Sequence, residues 1–188
     1  MPVELNRLMP KVRVQHILAA WICYLARITG ESNYPMGWVT SQSVLGEASV
    51  PTSFSPVIPI NVSIDLDWNM KKVRRNVSRE CRNIARNYTY FRDATLRNIT
   101  LGGSGNLLPS HSWQIAIFVG EDEPDEGTNI SALVEVLTLQ IRPCDGRYRW
   151  IYDQNKVGSL EIDRIATHLE QLVNVSIDPI GSRKPVGM

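Results

Sequence analysis

The side chains that most often do chemistry are few and scattered in this chain of 188 residues. Its three histidines, His16, His111 and His168, are never adjacent, and no cluster of His, Cys or Asp has the spacing of a metal site. The glycine-rich loop at 102–105 lacks the Lys-Ser/Thr pair of a phosphate-binding loop and the Gly-x-Ser-x-Gly pattern of a hydrolase nucleophile. We therefore predict no catalytic, metal-ligating or directly cofactor-binding residues in this chain.

One run of charge stands out against this background. Between residues 70 and 88 the chain carries seven cations and one carboxylate, Glu80; the cations are Lys71, Lys72, Arg74, Arg75, Arg79, Arg82 and Arg86. Two interpretations are open: a solvated helix face, which is the usual meaning of a charge run, or a docking surface for an acidic partner. Nucleic acid is disfavoured, because no aromatic residues interleave with the cations as a single-strand platform requires.

Composition limits the other classes of function. The chain is 43 % hydrophobic and 21 % charged with a net charge of +1, which predicts a core-forming domain without general affinity for nucleic acid or membranes. No apolar run approaches the roughly 18 residues of a membrane span, and no secretory signal is visible at the N-terminus. Three unpaired cysteines, Cys23, Cys81 and Cys144, indicate reduced thiols and predict a cytoplasmic location.

The elements that must position these residues follow from periodicity and turn chemistry. We predict helices at 11–28, 70–88, 91–99 and 159–173, the third of them short, the second capped by Asn69 and the fourth by Ser159. Strands are predicted at 34–41, 56–66, 113–119, 131–141 and 147–152, the last two forming a hairpin at Asp145-Gly146. The prolines at the start of the second strand predict a sheet edge or a bulge there. The order αββααβββα predicts an α+β fold with a mixed sheet and helices packed on one face.

That order, together with several segments, resembles the C-terminal lobe of a nonribosomal peptide synthetase condensation domain, which has a chloramphenicol-acetyltransferase-like fold. The segments are QHILAAWICYLARITG, YPMGWVTSQ, PVIPINVSIDL, NYTYFRDATL, SWQIAIFV, LTLQIRPCDGRYRWIYDQN and SLEIDRIATHLEQLV. The apolar frame matches, whereas polar landmarks have changed: Gln42 and Asn61 stand where the family has arginines, and Arg92 stands where it has Glu. This pattern suits a lobe that is retained for its shape rather than for its reaction.

The family's signature, His-His-x-x-x-Asp-Gly, lies in the other lobe. Residues 140–146 have its spacing but begin with Gln140 and Ile141, and neither side chain manages an amine proton near neutral pH as an imidazole does. We interpret Asp145-Gly146 as a hairpin turn and not as a remnant of the motif.

The resemblance implies a truncated condensation-like domain over residues 1–173 and a linker toward a downstream adenylation domain over residues 174–188. We expect a noncatalytic structural or docking platform for the adenylation domain, a carrier protein or an upstream subunit, with phosphopantetheine present only on a partner carrier protein. The seven cations are the candidate docking residues. A homodimer is a corollary, because a single lobe exposes the surface that normally faces its partner lobe.

Two alternatives stay open. The chain is half of an active condensation domain, an amide-forming acyltransferase, whose His-His lobe is upstream or on another chain. Alternatively, it is the N-terminal region of an aminoadipate-reductase-like protein, which also precedes an adenylation domain.

Overall fold

A computed structural model describes residues 3–39, 57–86, 113–121, 134–179, 181–183 and 185–186. These residues form an α+β fold, as predicted. The helices are α1 (Val3–Asn6), α2 (Pro10–Thr29), α3 (Met70–Arg86) and α4 (Ser159–Ile177), and a 3-10 turn follows at Gly181–Arg183. The strands are β1 (Met36–Val39), β2 (Val57–Ile60), β3 (Trp113–Val119), β4 (Val134–Ile141) and β5 (Tyr148–Tyr152).

The five strands form one mixed sheet in the order β2-β1-β3-β4-β5. The central pairs β1/β3 and β3/β4 are parallel, while β2 and β5 pair antiparallel at the two edges. Pro59 therefore lies in an edge strand, where proline is tolerated within a sheet, in agreement with the predicted edge. The β4/β5 pairing confirms the predicted hairpin.

Helix α2 is the centre of the core. It starts with Pro10, whose ring suits the first helical turn, and ends at Gly30 (φ 73°), whose N–H bonds the Ala26 carbonyl at 2.9 Å. Its middle is apolar and buried on almost every side, because α3 and α4 both pack against it. Trp21 is 1 % exposed and lies 5.2 Å, centroid to centroid, from Trp150 on β5.

Successive side chains along each strand point to opposite faces of the sheet. Ile117, Leu139 and Ile141 point into the main core, which also contains the buried sides of α2, α3 and α4. Ala116 and Phe118 point to the opposite face, in a smaller apolar cluster. Among the described residues all three long helices share one face of the sheet, as predicted.

The C-terminal boundary differs from the prediction. Helix α4 does not end at Val173 but continues to Ile177, and Gly158 rather than Ser159 occupies its N-cap, where the Gly158 N–H bonds the Glu161 carboxylate at 3.0 Å. Ser176 is buried against α2, so the interhelical packing extends the helix beyond its apolar pattern.

The chain after α4 also returns to the lobe. The Val186 side chain is 4 % exposed, its N–H bonds the Trp68 carbonyl at 2.8 Å, and Pro185 bridges to Asn69. Residues 174–177 thus belong to α4 and residues 185–186 pack on the lobe, while the linker toward an adenylation domain stays a prediction.

Several predicted features lie outside the described residues. They are the short helix at 91–99, the glycine-rich loop at 102–105 and His111.

Candidate functional site

Helix α3 presents the predicted cations because its sequence is strongly two-sided. Met70, Val73, Val77 and Ile84 recur at helical spacing and are buried against the core. Asn69 precedes the helix, and its Oδ1 accepts the Lys72 N–H at 3.0 Å, so the predicted N-cap is confirmed.

Six of the seven predicted docking residues are exposed on the side of α3 opposite the core. At about 100° per residue they fall within an arc of roughly 100°. We name this set the basic stripe: Lys71, Lys72, Arg75, Arg79, Arg82 and Arg86. Within the described ranges none of the six forms an ion pair with a carboxylate. The ammonium group of Lys72 lies 3.8 Å above the Trp68 ring, a cation–π contact.

The single carboxylate of α3 does not neutralise the stripe. Glu80 is half-buried on another side of the helix. Its two oxygens accept from the Asn61 backbone N–H and from the Asn83 amide, each at 3.2 Å. The carboxylate therefore links α3 to the end of β2 and leaves the cations on the other side unopposed by it.

Arg74 differs from the other six predicted docking residues in its surroundings. It is half-buried, and its guanidinium donates to Nε2 of His16 at 2.5 Å. The next residue, Arg75, is exposed, so adjacent arginines on α3 face the core and the solvent-exposed stripe respectively. Arg74 therefore holds α3 against α2, and its removal would disturb the packing as well as the surface charge.

His16 joins three helices. The imidazole is 3 % exposed, and its Nδ1 lies 2.9 Å from Oγ of Ser176, which donates to the Val173 carbonyl at 2.7 Å. Because Arg74 only donates, Nε2 must accept, so Nδ1 carries the proton and donates to Ser176. Burial, helped by the Arg74 charge, lowers the pKa of His16 from 6.5 to about 4. His16 is therefore neutral near pH 7.

A cleft lies where α3 begins. It has a volume of about 250 Å³ and is lined by Lys71, Arg74, Pro179, Ser182 and Arg183. The described lining contains three cations and no carboxylate. Sequence reasoning missed Arg183 because residues from 174 onward looked like a linker; the only available signal was the basic pair at 183–184.

The segment at 140–146 forms a turn, as interpreted from Asp-Gly. The Gly146 N–H bonds the Arg142 carbonyl, and the Arg142 N–H bonds the Arg147 carbonyl, both at 2.8 Å. Gly146 has φ 69°, which favours glycine. Gln140 is buried in β4 and accepts from Nε of Arg149 at 2.7 Å.

A buried arginine, also missed from the sequence, holds this turn. Arg13 is 5 % exposed and donates to the carbonyls of Pro143 and Cys144 in the hairpin. It also donates to three carbonyls around α1, those of Leu5, Asn6 and Leu8 at 2.9–3.1 Å. Five carbonyls thus satisfy the buried guanidinium, whose role is structural.

The cysteines are unpaired. Cys23 is buried and Cys81 half-buried, and burial raises the pKa of their thiols to about 12 and about 11. In the part of the chain that the structure describes, no three His, Cys, Asp or Glu side chains cluster closely enough to hold a metal ion. None of the described helices is long and apolar enough to cross a membrane.

Comparison with known proteins identifies the fold. No protein-family model and no curated protein matches the chain. The starter condensation domain of rhizomide synthetase RzmA is similar in structure, with a TM-score of 0.64 at 15 % identity over 96 % of this chain and 44 % of that one. A doubly substituted form of that domain, in a product-released conformation, gives a TM-score of 0.65 at 15 % identity over 99 % and 45 %.

The first condensation domain of the CDA synthetase is also similar, with a TM-score of 0.61 at 14 % identity over 93 % of this chain and 41 % of that one. The chain thus spans less than half of each of these structures. The described elements form one mixed sheet with its long helices on one face, and nearly the whole chain aligns with a part of each domain. The chain therefore has the fold of one lobe of a condensation domain.

Proposed function

We propose that this chain is a noncatalytic condensation-like domain of a nonribosomal peptide synthetase, which acts as a docking platform for an acidic partner through the basic stripe. The condensation-like fold supports the assignment to a nonribosomal peptide synthetase. The observation that carries the proposal is the stripe itself, six exposed cations along one helix with no ion-pair partner among the described residues.

The arrangement of the stripe favours a partner surface over a merely solvated face. The six cations belong to one rigid helix that is packed against the core through Val73 and Val77 and held by Arg74. A fixed row of like charges creates a local field that attracts an acidic surface and is screened beyond about 10 Å at 0.1 M salt. Net charge gives no such field, since it is only +1.

A carrier protein is the partner whose chemistry fits. Carrier proteins are commonly acidic, and their phosphopantetheine arm carries a phosphate that guanidinium groups bind well. An adjoining adenylation domain or an upstream subunit is also part of the proposal, because such modules work next to one another.

Charge reversal on the stripe tests the proposal. The double variant Arg75→Glu with Arg79→Glu should bind an acidic carrier-protein domain bearing phosphopantetheine roughly tenfold more weakly than wild type, since each exposed reversal costs about 0.7 kcal/mol. Isothermal titration calorimetry in a series of salt concentrations measures the change. The difference from wild type should shrink as salt rises.

A matched control reverses the same number of charges on another surface of the protein. Lys156 and Arg164 are exposed and lie outside α3, so Lys156→Glu with Arg164→Glu removes the same charge from another surface. Wild-type affinity is expected for this control. Equal weakening by both double variants, or no salt dependence of wild-type binding, would overturn stripe-specific docking.

A second function has one specific observation in its favour. The chain spans only 41–45 % of the condensation domains it resembles, so a complementary lobe belongs to the complete fold. If a lobe containing His-His-x-x-x-Asp-Gly is supplied separately, this chain would form one wall of the active site. Mixing the two lobes and following amide formation by mass spectrometry distinguishes the two functions: product that requires this chain favours the acyltransferase.

A further inference from the structure

We propose that the cleft at the start of α3 is a binding site for the phosphate group of a phosphate ester. The cleft shares only Lys71 with the basic stripe. Its proposed ligand does not depend on the proposed docking function. Its walls are the first turn of α3, with Lys71 and Arg74, and the chain after α4, with Pro179, Ser182 and Arg183.

The charge of the cleft selects the chemical class of the ligand. Lys71, Arg74 and Arg183 bring three cations to a volume of about 250 Å³, and its described lining has no carboxylate to neutralise them. The positive end of the dipole of α3 adds to this potential, since the helix begins next to Lys71. An anion with several acceptor oxygens is therefore favoured over a neutral or cationic ligand.

Arg74 is already oriented for such a ligand. One of its terminal nitrogens donates to Nε2 of neutral His16, and this is its only hydrogen bond within the part of the chain that the structure describes. Because a guanidinium carries five N–H donors in a rigid plane, fixing one nitrogen orients the others at little further entropic cost. The half-buried side chain lines the inner wall of the cleft, where charge is screened less than at the exposed stripe.

The opposite wall is also held in place. Pro185 bridges to Asn69, Val186 bonds Trp68, and Arg27 donates to the Val186 carbonyl. These contacts return the C-terminal segment to the start of α3 and bring Arg183 to the same cleft as Lys71, more than 100 residues away in sequence. On this segment the carboxylate of Asp178 accepts the Gly181 N–H at 2.9 Å.

The probes for this site are inorganic phosphate and free 4′-phosphopantetheine, measured by calorimetry at constant ionic strength. Lys71→Gln with Arg183→Gln should weaken phosphate binding roughly tenfold or more, because each change removes a charge-assisted contact. Both side chains are exposed, so the fold should tolerate the changes. Lys156→Gln with Arg164→Gln is the matched control on another exposed surface, and its affinity for phosphate should equal that of wild type.

The outcomes distinguish free phosphate from phosphopantetheine as the ligand, and the cleft proposal from the docking proposal. Equal affinity for both probes supports a site for phosphate alone, whereas tighter binding of phosphopantetheine supports a site that also contacts the arm. Phosphate binding without carrier binding would reject the docking function and leave the cleft in place. Absent phosphate binding, or equal binding by wild type and the Lys71/Arg183 variant, would overturn the cleft proposal.

Discussion

The network at His16 predicts a specific loss of stability in mild acid. In the unfolded chain the imidazole titrates near 6.5, whereas burial and the Arg74 charge lower the pKa of folded His16 to about 4. Between these values the unfolded state binds a proton that the folded state does not. The stabilisation is therefore complete above pH 6.5 and is lost as the pH falls toward 4.

The two pKa values set the magnitude. They differ by about 2.5, and each unit corresponds to about 1.36 kcal/mol, so the full contribution is about 3 kcal/mol. From pH 7.5 to pH 5.0 the linkage relation gives a loss of about 2 kcal/mol from His16. This window avoids most of the carboxylate titrations, which lie lower in pH.

Urea denaturation followed by tryptophan fluorescence measures this loss. His16→Gln retains a polar side chain of similar length and cannot titrate, so its free energy of unfolding should lack the decrease of about 2 kcal/mol between pH 7.5 and 5.0. His168→Gln is the matched control, because it removes an exposed histidine on α4 and leaves the His16 contacts intact, so the decrease that His16 causes should remain. Parallel pH slopes for wild type and His16→Gln would refute the assigned protonation state and its role.

Two pairs of substitutions test the packing that positions the site. Gly146→Ala should cost about 2–4 kcal/mol, because φ is +69° and an added Cβ would clash with Cδ of Arg13. Gly30→Ala, at φ +73° with nothing within 4 Å of the added Cβ, should cost about 1–2 kcal/mol, and equal losses would contradict the role of the Arg13 contact. Leu169→Ala should cost about 2–5 kcal/mol at 0 % exposure. Leu160→Ala, at 73 % exposure, should change the free energy of unfolding by less than about 0.5 kcal/mol, and chemical denaturation compares the pairs.

The long helices and the central strands were predictable because their information is local. The spacing of Val14, Leu18 and Trp21 places one face of α2 in the core, and Gly30 ends the helix as expected. The Asp145-Gly146 dipeptide marks the β4/β5 turn for the same reason. Apolar alternation also indicates the strand at 113–119, and the order of elements predicts the mixed α+β sheet, while the condensation-like fold rests on the resemblance of the ordered segments to that family.

The candidate site was only partly predictable. The seven cations are visible in the sequence, and their helical spacing explains the stripe, but the sequence does not distinguish Arg74 from Arg75. That distinction depends on His16, which is 58 residues away in sequence from Arg74 and 160 residues away from Ser176. The predicted end of α4 was wrong for a related reason. The helix continues past its apolar pattern because packing against α2, a distant segment, stabilises another turn.

The sequence by itself determined the class of fold, the basic helix and the absence of a His-His pair from this chain. Only the tertiary structure decided which cation holds the helices together, which carbonyls satisfy Arg13, and that Arg183 meets Lys71 at a cleft. Periodicity and turn chemistry act over a few residues, so they can be read along the chain. Burial, charge pairing and cleft formation depend on which distant segments fold together, and that information appears only when the helices and the sheet are packed.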